Sequence, residues 1–184
     1  VRAASFNWHS IADDAPVFSI DLATGDVADQ KQSGRCWMFA ALNTMRHEMQ
    51  QKFNLPDNFE LSQSYAFFWD KFEKANWFYE NIINTAQLPL GDRKVAWLLE
   101  TPQQDGGQWD MLCALIEKYG VVPKSAMPES YNSSRSNEIN AVLNNQLRHD
   151  AVVLRKLVND QTTDDEINSI RKQMLNNVYR MLAY

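Results

Sequence analysis

A chain of 184 residues with 45% hydrophobic and 22% charged residues can bury a core of its own, which excludes the intrinsically disordered and low-complexity classes. Its net charge of -5 is spread over segments of mixed sign, without the basic run that a nucleic-acid or anionic membrane partner requires. No apolar run reaches membrane-span length, no secretory leader pattern opens the chain, and Cys36 and Cys113 fit neither a zinc spacing nor a disulfide framework, so a soluble cytoplasmic protein without metal or cofactor is expected.

Residues 1–29 carry Pro16, Gly25 and several Asp among scattered apolar residues. The spacing predicts an extended arm there, with one short candidate strand at Val17-Phe18-Ser19-Ile20. From Cys36 to Phe53 the period is helical, with Met38, Leu42, Met45, Met49 and Phe53 in one stripe. Trp37, Phe39, Ala40 and Ala41 make its first turns apolar on every side, so its N-terminal half should be buried. Leu55-Pro56-Asp57-Asn58 breaks the pattern, and Ser62 is placed to cap a second helix in which Tyr65, Phe68, Trp69, Phe72, Tyr79, Ile82 and Ile83 recur at helical spacing. Aromatic density of this kind predicts core packing rather than a stacking surface for bases. A loop with Pro89 and Gly91 leads into a short helix over Arg93 to Glu100. The run Thr101-Pro102-Gln103-Gln104-Asp105-Gly106-Gly107 then reads as an irregular loop, since proline and paired glycines sit poorly inside regular elements. Trp109, Leu112, Leu115, Ile116 and Tyr119 mark the next helix, and Gly120 is placed to cap it.

Residues 124–135 are rich in Ser, Pro and Asn, which suggests a boundary. Beyond it, Ile139, Val142, Leu143, Leu147, Leu154 and Val158, then Ile167, Ile170, Met174, Val178 and Met181, predict a helical hairpin. Thr163 and Glu166 form a capping-box pair at the start of its second helix. Hardly any of the chain reads as strand, so the fold class is predominantly α. Three parts are expected: an arm over 1–29, a helical unit over 30–123 and a hairpin over 124–184. The chain opens at Val1 without an initiator Met and closes at Tyr184 inside an uncapped helical pattern, from which a cut-off C-terminus is expected.

The chemistry concentrates at Cys36. A cysteine in the first turn of a helix sits at the positive end of the helix dipole, beside backbone N–H groups without intrahelical partners, and both favour thiolate over thiol. Arg35 beside it adds positive charge, and Gly34 permits a tight backbone approach. Gln30, six residues earlier, can place a side-chain N–H next to the sulfur, where it would stabilise an oxyanion together with the Cys36 backbone N–H. Taken alone, a cysteine at a core-helix start is more often a small buried hydrophobe.

The order Gln30, then Ser33-Gly34-Arg35-Cys36-Trp37, then a helix resembles the nucleophile segment of papain-like cysteine peptidases, whose signature is C-G-[SA]-C-[WY]. The resemblance places Gln30 at the oxyanion-hole glutamine, Cys36 at the nucleophile and Trp37 at the aromatic that follows. Ser33 replaces the first cysteine of the signature, which pairs in a disulfide in secreted members, and Arg35 replaces the small residue. The run Gln30 to Ala40 is similar to the bleomycin hydrolase and aminopeptidase C branch, and to its bacterial aminopeptidase C type in particular. A second block, Asp105-Gly106-Gly107-Gln108-Trp109 with the helix ending at Tyr119-Gly120-Val121-Val122-Pro123, resembles the segment that lines the family's substrate cleft. By resemblance Gly106 and Gly107 are substrate-binding, the backbone of Gly107 pairing with the substrate chain.

The resemblance implies the helical lobe of a papain-like α+β fold over 30–123, with 124–184 as a helical insertion. It implies a cysteine-type aminopeptidase that takes residues from the N-termini of peptides, with no cofactor, in the cytoplasm, as a homohexamer whose active sites face an internal chamber. Such an enzyme needs a histidine as general acid and base, oriented by an asparagine, roughly 130 to 150 residues or more after the nucleophile. His47 lies eleven positions along the same helix, about 16 Å away at 1.5 Å per residue, and cannot reach the sulfur. His149 sits on the flank of a helical stripe and His9 in the arm, and all three read as structural or solvated. The chain is therefore expected to be an N-terminal portion that lacks the catalytic His and Asn and is inactive by itself. The competing reading is a non-catalytic helical interaction or assembly module with Cys36 as part of the core.

Overall fold

The computed structural model of the chain describes residues 18–20 and 25–184. Most of the expected arm, His9 and Val17 lie outside the described residues. Phe18, Ser19 and Ile20 are exposed and take no regular structure, so the described part of the candidate strand is not a strand.

Among the described residues the chain is helical and without strands: α1 (Cys36–Phe53), α2 (Gln63–Asn84), α3 (Arg93–Glu100), α4 (Trp109–Tyr119), α5 (Tyr131–Ser134), α6 (Ser136–Asn159) and α7 (Asp164–Ala183). None of these helices is long and apolar enough to cross a membrane. Helix α1 ends where Asn54 turns left-handed at φ 50°, a conformation asparagine tolerates better than most residues, and its N–H returns to the Gln50 carbonyl. Ser62 caps α2 as its sequence position predicts, with its hydroxyl accepting from Tyr65 N–H at 3.0 Å. Asp92 does the same for α3 and Thr163 for α7, while Gly120 closes α4 at φ 73° with its N–H on Ile116 O.

Helix α2 is the spine of the fold. Its first half packs Ala66 and Phe67 against Met38, Ala41 and Leu42 of α1 and Leu112 of α4. Its second half packs Ala75, Phe78, Tyr79 and Ile82 against Leu143, Leu147 and Leu154 of α6 and Met174 and Val178 of α7. One helix thus carries two apolar faces in series, which is why its sequence is aromatic along its length. Trp69 stacks on Tyr119 at 3.9 Å, and Phe68 meets Tyr179 edge-on at 5.2 Å, so the aromatics serve packing. The hairpin also carries a buried polar tie, Tyr79 Oη donating to Asp150 at 2.6 Å.

One local expectation is corrected. Helix α1 is not buried all round in its first turns: Met38, Phe39, Ala41 and Leu42 are buried, while Cys36, Ala40 and Thr44 are exposed. Residues four apart share a helix face, so this is one open stripe with Cys36 at its head. Residues 124–135 are held by hydrogen bonds to earlier parts of the chain. Lys124 N–H donates to Glu60 O at 2.9 Å, the Ser130/Ser133 capping box starts α5, and Gln32 N–H reaches Ser134 O at 3.0 Å, just ahead of the Cys36 turn.

Candidate active site

The turn from Gln30 to Arg35 is built by short-range hydrogen bonds that leave Cys36 at the open end of α1. Ser33 Oγ donates to Gln30 O at 2.7 Å and accepts from Arg35 Nε at 2.8 Å. The Arg35 carbonyl takes the N–H groups of Met38 and Phe39, so the helix starts on backbone alone. Cys36 is its first residue and its thiol is free and exposed. Gly34 N–H donates to Asp105 Oδ2 at 2.9 Å, and a Cβ on Gly34 would lie 2.9 Å from Asp105 Cβ. The tight approach read from the sequence is therefore to the loop over 101–108, and only glycine allows it.

Arg35 does not act on the thiol as its position in sequence suggests. Its side chain is fully buried between the rings of Phe39 and Phe67, and its guanidinium forks onto Glu129 at 3.0 and 2.8 Å. The charge is paired 94 residues away, where a bidentate carboxylate fits the planar guanidinium. Burial works against the ionised Glu129, but Arg35 and the Ser133 hydroxyl outweigh it and hold its carboxyl below the ordinary range.

Asp105 is the second anchor of the turn. Oδ1 accepts from Lys71 Nζ and Asn140 Nδ2, each at 2.8 Å, and Oδ2 accepts from Gly34 N–H and the Ser136 hydroxyl. Its backbone carbonyl takes Trp37 Nε1–H at 2.9 Å. Burial opposes its ionisation, yet the Lys71 charge and these donors hold the carboxyl far below the ordinary range. Lys71 is completely buried, and desolvation lowers it to about 8 despite its carboxylate partner. A Cβ at Gly107 would meet the Trp37 ring at 2.5 Å, so the second glycine is required by the indole after Cys36, whatever passes on its other side. Gly106 is open, and its carbonyl accepts from Lys74 Nζ at 2.8 Å.

These two carboxylates predict the acid behaviour of the fold. Both are held below their unfolded values, so their stabilisation is complete above about pH 5 and is lost as pH falls toward the lower folded values. Asp70, which burial pushes upward against the pull of Lys74, offsets part of that loss. The melting temperature should hold between pH 6 and 5 and fall steeply below about pH 4. A melting temperature that rises between pH 5 and 3 would contradict the assignment.

The loop over 101–108 is also one wall of a cleft of about 780 Å³ between α2, α3 and α4. Gly106 and Gly107 line it with Trp77, Trp97, Met111 and Leu115, and Cys36 is not among its lining residues. Gln30 and Cys36 stand at the two ends of the turn. Gln30 is half-buried, and its Oε1 is buried without a hydrogen-bond partner among the described residues. His47 is occupied by Gln51 at 3.2 Å and exposed His149 lies 3.4 Å from Asp150, so both sit with residues of their own helices. Cys113 is half-buried.

Comparison with known proteins bears on the whole length. The sequence profile of the family described as "Peptidase C1-like family" matches residues 1–184. Aminopeptidase C of Lactobacillus helveticus is 60% identical over 183 residues, covering 100% of this chain and 40% of the relative. Aminopeptidase C of Listeria innocua is 56% identical over 183 residues, covering 100% of this chain and 41% of the relative. A crystal structure of PepW from Lactobacillus rhamnosis superposes with a TM-score of 0.94 at 62% identity, covering 100% of this chain and 41% of that one. The chain thus spans about two fifths of the length of the relatives it matches.

Proposed function

Because these 184 residues belong to the peptidase C1-like family, we propose that they form the nucleophile-bearing part of a cysteine aminopeptidase that removes N-terminal residues from peptides. The single observation that carries the reading is the exposed thiol of Cys36 at the first residue of α1, on a turn anchored from both sides by Arg35–Glu129 and Gly34–Asp105. In this reading Cys36 Sγ attacks the scissile carbonyl, and the Cys36 backbone N–H and the Gln30 side-chain amide hold the developing oxyanion. The C–N bond breaks as the leaving amine takes a proton, and water then hydrolyses the thioester. Gly106 and Gly107 form the wall along which the substrate backbone runs. The lobe over 30–123 carries the site, and 124–184 is an insertion that buttresses it.

The histidine and its asparagine are proposed to come from outside these 184 residues. Support comes from the greater length of the relatives and from His47 and His149 contacting residues of their own helices. A reducing, cytoplasmic setting fits two free cysteines and Ser33 in place of a pairing one. A homohexameric assembly rests on the resemblance alone.

The test compares a fluorogenic aminoacyl amide with its N-acetylated form. The full-length enzyme should turn over the free amine at least about tenfold faster, and the 184-residue chain should turn over neither. Preference for the blocked substrate would sink the aminopeptidase reading, and brisk turnover by the chain alone would make His149 the first residue to reconsider as general base.

A further inference from the structure

Asp105 touches the nucleophile turn on both sides of the reactive residue. Its Oδ2 holds Gly34 N–H, two residues before Cys36, and its carbonyl holds the indole N–H of Trp37, one residue after. A carboxylate offers about four lone-pair sites, and here four donors fill them: Gly34, Ser136, Lys71 and Asn140. Two of those donors, Ser136 and Asn140, stand one helical turn apart on α6, and Lys71 belongs to α2. The anchor of the turn is therefore itself anchored in the spine and in the hairpin.

We propose that Asp105 is a positioning residue for Cys36: it fixes the place of the nucleophile by clamping Gly34 to Lys71 of α2 and to Ser136 and Asn140 of α6. The inference rests on Cys36 being the nucleophile. The side chain touches the turn and not the substrate wall, whose Gly106 carbonyl is held separately by Lys74. Its loss should therefore act on kcat and leave KM in place.

Asparagine at 105 makes the distinction sharp. Lys71 Nζ and Asn140 Nδ2 both donate to Oδ1, so the remaining amide oxygen must face them, which turns the NH2 toward Gly34 N–H and sets donor against donor. In the full-length enzyme, Asp105→Asn should lower kcat about 10- to 100-fold, the range for losing a charge-assisted hydrogen bond at the reacting centre, with KM within about twofold. Pairing Asp105→Leu with Lys71→Met removes the buried amine together with the acceptor for Gly34 N–H, so the melting temperature should recover while kcat stays low. A kcat that recovers together with the melting temperature overturns the proposal, because Asp105 would then be only a stabiliser. So does a raised KM at unchanged kcat, which would assign Asp105 to the substrate wall, or a kcat within about threefold of wild type. Cys36→Ala measured in parallel separates the two claims: if it retains turnover the nucleophile assignment fails, whatever the Asp105 variants do.

Discussion

Cys36→Ala in the full-length enzyme is expected to lower kcat on the order of 10⁵-fold or more, by analogy with the loss of a nucleophile from other covalent hydrolases. No neighbouring group can take over, because Ser33 is engaged with Gln30 and Arg35 and Thr44 donates to Ala40 O. The fold should not notice. Cys36 is exposed at a helix start that closes on the Arg35 carbonyl, so alanine there should change stability by less than about 0.5 kcal/mol. Gln30→Ala removes one oxyanion donor and leaves the nucleophile, so a loss of about 10²-fold is expected. Turnover by Cys36→Ala within about tenfold of wild type would remove the site altogether.

Glu129→Ala carries the largest expected effect on stability, about 3–5 kcal/mol. Arg35 is completely buried between two phenyl rings, and without Glu129 its charge keeps only the Ser33 hydroxyl as a polar partner among the bonds described. An uncompensated buried charge costs far more than a surface pair contributes, and a domain of this size has only about 5–15 kcal/mol in hand. The Glu129 side chain is about a quarter exposed, at 23%, so water that follows the cut side chain in would bring the loss to the lower end. Replacing both partners, Arg35→Met with Glu129→Leu, should restore most of the stability, because no charge is then left in the core. Chemical denaturation of the three variants reads this directly. A Glu129→Ala loss below about 1 kcal/mol would mean that the guanidinium is solvated and that the segment over 124–135 does not brace the turn.

The helices and the candidate site were legible because their signals are local. A 3.6-residue period, Ser62 and Thr163 as caps, Leu55-Pro56-Asp57-Asn58 and Gly120 as stops, and the adjacency of Gln30, Gly34, Cys36 and Trp37 all fall within short windows of sequence. What holds the site together was not legible. Arg35 and Glu129 are 94 positions apart, and Asp105 gathers donors from positions 34, 71, 136 and 140. Charged residues at such separations leave no periodic trace, so Arg35 reads as a helper of its neighbour when its charge points into the core. The only clue to Asp105 is its place immediately before Gly106-Gly107. The exposure of α1 along Cys36, Ala40 and Thr44 was hidden for a different reason, since small residues are compatible with either face of a helix. Gly107 reads in the sequence as a glycine kept for a substrate backbone, and the group packed against it in this structure is the Trp37 ring.

The central claim, that Cys36 is a nucleophile set up by its turn and helix, is tested most directly by its rate of alkylation with iodoacetamide at pH 7. Mass spectrometry resolves Cys36 from Cys113 in the folded chain and in the same chain unfolded by guanidinium. Cys36 should label several-fold faster folded than unfolded, because only the folded chain places it at a helix N-terminus, and Cys113 should label more slowly folded. Equal slow labelling of both cysteines in the folded chain, or a Cys36 rate that unfolding does not lower, would contradict it.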